Sequence, residues 1–578
     1  MKKTFYLIIR CLLICKAPGF VSAQAEYPLQ RRIVSLSPPE QTADKFRFDL
    51  QSHLADIVYR HPALYEWQNR NGYIFSDVRH RSDTMPIPLL RRTNISLRHA
   101  DGKISGDYLP FAGNAFTDSE INAEAIYGTA GDGTMFGSAS FSKGRHSGYG
   151  WNAIRHAELY LPYVIADSTG GDYRYENYYM AGGYAFRLHR GYYGVGGSFR
   201  GEIASRQTDP RCANTTSWLT VDASAVWPVA TRHWLAVRAS YIRNKQHLHL
   251  RNWRPNQQDR FFVTYGFGYY DLQESPVSFG IRRMYYMQGI ETHATFSNLG
   301  LRKGRSVGFT ADVNYAFLAM KTEESDAKNL FGSDTHHVNG SWWLTSAEDR
   351  ALQWSLGLQT HNQFRRGKEH IYETYRPDEN YPSIYDFRLV DTRKRYTYTF
   401  SSNRMQGKID YGFSGPRLRI ELLGGIGADY RSEGYESPHH HWEVWTVCPM
   451  LGAGAKQRLN KVEWGINSLG VLRLPLQYGY DVSGGKFRLD YQETFLPYAY
   501  YTDRSFTLHN ELYVAYRISK QGRRVGIIVQ HLLRNGRRPA DVAYTETPGV
   551  ISHRLSHPAS GKVNNHESWI SASLFIAM

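Results

Sequence analysis

Period-two alternation of apolar and polar positions dominates the chain from about Thr93 onward. In RLRIELLGGIGADY, Leu418, Ile420, Leu422, Gly424, Ile426, Ala428 and Tyr430 share one face, while Arg417, Arg419, Glu421 and Asp429 share the other. The pattern recurs in SVGFTADVNYAF, where Val307, Phe309, Ala311, Val313, Tyr315 and Phe317 oppose Thr310, Asp312 and Asn314. It recurs again in YGVGGSFRGEIA, WLAVRASYI and LHNELYVAYRI, and in the terminal SWISASLFIAM. Successive side chains of a strand point to opposite faces, so each run predicts a strand with one apolar and one polar side.

Many of these runs last about 10 residues or more, the length that a tilted strand needs to cross a bilayer. Strands of soluble sheets usually run about 5 to 6 residues. Aromatics gather near the run ends, as at Tyr192 and Tyr193, Tyr285 and Tyr286, and Trp342 and Trp343, positions that suit interfacial girdles. The pattern predicts an all-β fold: a single large antiparallel transmembrane β-barrel over residues 90–578, of roughly 18 to 22 strands.

Connections divide into two kinds. PVATRH (228–233) and SKQGRR (519–524) are short, whereas 321–337, 365–394, 431–441 and 535–567 read as long polar loops. Short turns at one end and long loops at the other are the usual asymmetry of an outer-membrane barrel. GTAGDGTMFG (128–137) reads as a turn between strands rather than a phosphate cradle.

The chain opens differently. Lys2 and Lys3, a short apolar stretch, and Val21, Ser22 and Ala23 form the pattern of a secretory signal peptide spanning residues 1–23. Residues 24–89 form an N-terminal arm, periplasmic or plug-like, with a helix expected near Asp44 to Tyr59 that His61 and Pro62 interrupt. No run approaches the ~18 apolar residues of a transmembrane helix.

Composition sharpens this picture. Aromatics make up 14% of the residues, with 42 Tyr and 51 Gly, at a mean hydropathy of -0.51; disorder requires few aromatics, so it is excluded. Only Cys212 and Cys448 lie beyond the signal, too few for a disulfide framework, and a single bond between them stays open. Removing Lys2, Lys3, Arg10 and Lys16 takes the formal charge from +16 to +12. For an exported chain that excess points to anionic lipid or solutes rather than nucleic acid.

Alternation assigns Arg98, Arg187, Arg200, Arg238, Arg417, Arg419 and Arg517 to the lumen, with Glu202, Asp312, Glu421 and Glu511. Such side chains either set the ion preference of a pore or pair to fill its interior. His336 and His337, and His439, His440 and His441, read as loop imidazoles, weak candidates for metal. His156 and Glu158 share one face of an expected strand, a weak acid-base pair for a hydrolase. No GxxxxGK[ST], HExxH or zinc-knuckle spacing occurs.

Residues Tyr149 to Phe186 carry a resemblance, through Trp151 and Asn152, LPYVIADS (161–168), Gly170 and Gly171, and Gly182 and Gly183. They resemble an uncharacterised outer-membrane β-barrel family of Bacteroides-type bacteria, which brings no activity or catalytic residues with it. Trp569, Ile570, Ala572, Leu574, Ile576 and Met578 resemble the C-terminal sorting strand of such barrels, although Met578 replaces the usual terminal aromatic.

The expectation is therefore a barrel in the outer membrane of a Gram-negative bacterium, reached by Sec-type export. Its partners would be the lipid bilayer and lipopolysaccharide, the outer-membrane insertion machinery and other uptake proteins. A pore or solute-uptake channel with a cation-lined lumen is expected, without cofactor or catalysis. The alternatives are a non-channel accessory or receptor barrel of an uptake complex, with iron or haem as cargo, and thirdly an outer-membrane hydrolase.

Overall fold

The computed structural model describes residues 57, 60–71 and 91–577, apart from 130, 168, 232, 252–259, 267–268, 275–280, 300–306, 325–328, 347–350, 378–384, 414–417, 482–495, 519–522 and 540–563. Eighteen strands close into one antiparallel barrel. Its wall begins with β1 (Arg91–Ser105), β2 (Ala115–Gly128) and β3 (Thr134–Tyr149). After a short helix, α2 (Ala157–Tyr160), and the three-residue β4 (Ile165–Asp167), it resumes with β5 (Gly171–Leu188), β6 (Gly191–Arg206), β7 (Arg211–Ala230) and β8 (His233–Arg251). Two further strands, β9 (Arg260–Gly266) and β10 (Tyr269–Glu274), join β4 in a separate three-stranded sheet.

The wall continues through β11 (Ile281–Ser297), β12 (Gly308–Glu324), β13 (Phe331–Thr345), β14 (Leu352–Tyr375) and β15 (Asp386–Phe413). It then passes through β16 (Leu418–Glu436), β17 (His439–Leu459) and β18 (Val462–Asp481). Helix α3 (Leu496–Thr502) precedes β19 (Arg504–Arg517), β20 (Arg524–Arg537) and β21 (Asn564–Ala577). Closure comes from β21, which pairs with β20 on one side and with β1 on the other, Leu97 opposite Leu574 and Arg98 opposite Ser573.

Closure leaves no backbone edge unpaired, the condition for exposing a sheet to hydrocarbon. The outer surface bears Val237 and Tyr241 on β8, Ile290 on β11, Val313 on β12, Leu422 and Ile426 on β16, and Ile527 on β20, all exposed. A continuous apolar belt of this kind would be a liability in water. The alternate positions on the same strands, Arg238, Glu291, Asp312 and Glu421 among them, are buried inside. In the closing strand Ile570 faces outward, while Trp569, Ser571, Ser573 and Phe575 are buried inward; Met578 lies outside the described residues.

Several sequence expectations change. Pro62 opens helix α1 (Pro62–Asn71) instead of ending one, because its fixed φ and missing N–H suit a first helical turn. Most of Asp44 to Tyr59 lies outside the described residues. Three expected long loops are largely strand: β12 and β13 consume much of 321–337, β14 and β15 most of 365–394, and β16 and β17 most of 431–441. Above the apolar belt the outward residues become polar, so strands continue there without alternating hydropathy.

Candidate functional site

The site is built by the segment between β3 and β5, residues 150–170, which folds back into the lumen instead of standing above it. Gly170, at φ +66°, makes the return; a Cβ there would come within 2.0 Å of the Tyr149 carbonyl oxygen. Asp167 accepts from the backbone N–H groups of Thr169 and Gly170, at 3.1 and 2.9 Å, and from Arg206 at 2.6 Å. Asn152 caps its own turn, accepting from Ile154 N at 2.8 Å and donating to Phe111 O at 3.1 Å. Trp151, Asn152 and Leu161–Asp167, residues that carry the family resemblance, are therefore those that shape this insert.

Wall side chains hold the insert from several directions. Tyr173 and Asn214 both donate to the Ala153 carbonyl, at 2.7 and 3.1 Å. Tyr160 donates to Asn244 and packs on Tyr285, with centroids 4.7 Å apart. Tyr163 stacks on Phe331 at 4.7 Å, and Arg365 donates to Leu161 O at 2.9 Å. His156 lies on this irregular segment and Glu158 in α2, so the expectation that they share a strand face is corrected. His156 instead meets Glu202 at 2.9 Å, and Arg200 reaches the same carboxylate at 2.8 Å.

Helix α1 lies against the inner wall nearer the opposite end. Ala63 N donates to Ser224 at 2.8 Å, Trp67 packs on Trp234, and Thr134 donates to Glu66 at 2.6 Å. His61, just before the helix, approaches His293 at 2.5 Å, and His293 in turn pairs with Asp312. Burial lowers the His61 pKa well below its usual value; His293 and Arg238 act in the same direction and Asp312 in the other.

A cavity of about 120 Å³ lies between the insert and the wall of β13 to β17. Thr335, His337, Arg365, Tyr398 and Arg431 border it from the wall, and Glu158, Leu159, Leu161 and Pro162 from the insert. Arg431 lies over the rings of Tyr501 and Phe400, 4.1 and 4.9 Å from their centroids. Glu433, also at the cavity, accepts from Trp442 Nε1 at 3.0 Å. Burial pushes the Glu158 carboxyl up to about 7, against the pull of Arg155 and Arg365.

Several other lumen candidates enter pairs. Arg238 reaches Asp222 and Glu291, at 3.1 and 3.3 Å. Glu421 takes Lys408 and Lys456, Glu511 accepts from Gln530 at 2.8 Å, and Arg419 donates to Gln353 at 3.1 Å. Arg98 and Arg517 are half-buried, Arg187 is exposed at the end of β5, and Arg417 lies outside the described residues.

His336 and His337 are strand rather than loop residues. Alternation along β13 sends His336 outward against Phe317 and buries His337 in the lumen. Likewise His440 is buried on Tyr435, opposite in direction to His439 and His441. Among the described residues no three His, Cys, Asp or Glu side chains converge to hold a metal. Cys212 and Cys448 are buried free thiols.

Sequence reading missed Arg365, Tyr396, Tyr398, Arg431, Glu433 and Tyr501. Arg365, Arg431 and Glu433 fall within the expected loops 365–394 and 431–441, whereas the alternation of Tyr396, Tyr398 and Phe400 in RYTYTF is a readable strand signal.

Residues 89–576 match a family of unknown function (DUF6850), and the chain belongs to it. No curated protein matches. Among solved structures, the unliganded ferric citrate transporter FecA is similar at 10% identity over 85% of this chain and 79% of that one, with a TM-score of 0.36. The ferric preacinetobactin receptor BauA from Acinetobacter baumannii is similar at 6% identity, over 83% of this chain and 80% of that one, with a TM-score of 0.30. A Pseudomonas aeruginosa FadL homologue is similar at 10% identity, over 90% of this chain and 94% of that one, with a TM-score of 0.31.

Proposed function

We propose that this chain is an uptake barrel of the Gram-negative outer membrane whose lumen is gated by the insert, and that the cavity beside the insert captures a small carboxylate-bearing solute. The observation that carries the reading is the cavity itself: two guanidinium groups, Arg365 and Arg431, border it among Tyr396, Tyr398 and Tyr501 beside the insert, with Glu158 and Glu433 in the same lining. A guanidinium donates in a planar fork that matches a carboxylate. The cavity size suits a single ring, since an apolar cavity of about 150 Å³ holds benzene.

The interior networks favour this over an open, cation-lined pore. Arg200, Arg238 and Lys408 each face a carboxylate, so these lumen cations are neutralised by neighbours rather than left to set a pore field. Catalysis has less support: among the described residues no hydroxyl or thiol hydrogen-bonds to His156, whose partner is Glu202. In this reading the protein is exported by the Sec route, and the insertion machinery recognises β21.

Planar-bilayer recording tests the gate. The wild type should be largely silent, and replacing residues 153–165 with a short Gly-Ser linker should give steady openings. A wild type that conducts continuously would overturn the gated reading. Titration with benzoate tests capture: wild-type binding that Arg365→Ala and Arg431→Ala each weaken supports it, and binding unaffected by either refutes it.

A further inference from the structure

The outer wall carries a cationic group around Tyr286. On β8, β11 and β12 an outward apolar row crosses Tyr241, Ile290 and Phe317, which lie opposite one another. Past Arg243, Gln288 and Ala319, toward the end that bears the insert, Lys245 and Lys321 sit opposite Tyr286 on its two neighbouring strands. Both ammonium groups lie over that ring, at 5.3 and 5.5 Å from its centroid. Arg243, exposed, is two residues before Lys245 along β8 and faces Leu219 of β7 at the belt edge. Arg282 is exposed two steps farther from the belt along β11.

Several other outward cations at the same end have acidic partners. Lys143 pairs with Glu176 at 3.2 Å and Arg145 with Asp172, while Lys368 pairs with Asp334 at 2.5 Å. Around Tyr286, Glu323 is the outward carboxylate on β12, beside Met284 of β11. Positive charge is thus concentrated where an aromatic marks the boundary of the apolar belt, the level at which lipid head-group phosphates lie.

We propose that Arg243, Lys245 and Lys321, arranged around Tyr286, form a binding site for the phosphate groups of lipid A in the outer leaflet. Two lysines hold the phosphate as point charges and Arg243 can reach it with paired N–H donors. Acyl chains would continue down the apolar outer face past Tyr241 and Ile290. The end bearing the inserted and longer connections then faces outward from the cell, and the end carrying Ala577 faces the periplasm, as in barrels generally.

Native mass spectrometry of the detergent-solubilised full chain, titrated with bisphosphoryl lipid A, tests this. Each basic side chain near such a surface is worth roughly a five-fold change in affinity. Arg243→Ala/Lys245→Ala/Lys321→Ala should therefore weaken binding by roughly a hundredfold, whereas Lys143→Ala/Arg145→Ala should leave it unchanged. Equal binding by wild type and triple variant, or no lipid A retained by wild type, overturns the proposal. Competition by inorganic phosphate at matched concentration also overturns it, because the site would then read free phosphate rather than lipid. Heat-modifiable migration verifies folding, and if the triple variant misfolds, Lys245→Gln/Lys321→Gln is read in its place, with a weakening of more than tenfold expected. The readout lies on the outer wall, so its outcome is separate from whether the lumen is gated.

Discussion

Arg365 on β14 donates to the carbonyl oxygen of Leu161 at 2.9 Å while its Nε donates to Thr335 at 3.1 Å. One guanidinium thereby fixes the insert to the wall and borders the cavity. Arg365→Ala removes a charged donor from a part-buried carbonyl, a loss on the order of 1 to 2 kcal/mol. Urea unfolding in liposomes should show that loss, and the cavity's affinity for benzoate should fall with it. Arg365→Lys should recover part of the stability and less of the binding, because an ammonium lacks the fork.

Glu158 gives the insert a pH dependence. Its carboxyl titrates near 7 when the insert is docked and near its ordinary value when the insert is released. Docking is therefore favoured where both states are protonated, and the contribution is lost as pH rises from about 4.5 to about 7. Glu158→Gln should remove this dependence and raise the melting temperature at pH 8. A melting temperature of the glutamine variant at or below wild type at pH 8 would contradict the assignment.

His61 acts with the opposite sign. Its docked pKa is lowered, so below its ordinary value of about 6.5 the released state takes up a proton that the docked state does not. Docking of His61 and the adjoining α1 against the inner wall should weaken progressively as pH falls below that value. Limited proteolysis at Arg60 or Arg70 should accelerate at pH 5.5 relative to pH 7.5, and His61→Gln should flatten the response.

Position on the wall decides tolerance to charge. Val313, exposed on the outer face of β12, should lose roughly 2 to 4 kcal/mol on substitution by Arg if it lies near the membrane midplane. Asn339→Lys, on the inner face of β13, should cost clearly less. Refolding titrations into liposomes compare the two.

β21 closes the barrel by pairing with both β1 and β20. Deleting Trp569 to Met578 exposes two strand edges to hydrocarbon and should abolish heat-modifiable folding. Normal insertion of that truncation would refute both the closure and the role of β21 in assembly.

The alternation of residues such as Leu418 to Tyr430 determines by itself that the chain is a two-sided β wall. Polar residues on one face and apolar residues on the other fix each strand's orientation once a belt exists. It also determines the closing strand, since Ile570 and Ser571 can only point in opposite directions. Where the wall rises above the belt, both faces turn polar, and the sequence signal fades; the adjoining ends of β14 and β15 were hidden there, with Arg365.

Only the tertiary structure decides what fills the lumen. Residues 150–170 carry no periodicity that distinguishes a surface loop from an inward fold. Their position follows from contacts with residues far along the chain: Ala153 with Tyr173 and Asn214, Tyr160 with Asn244, and Leu161 with Arg365. The same holds for the lumen charges, whose facing was readable strand by strand. Whether Arg238 stood free in a pore or was neutralised depended on β7 and β11 bringing Asp222 and Glu291 beside it. Local alternation sets a face; only closure of the ring sets which groups meet across it.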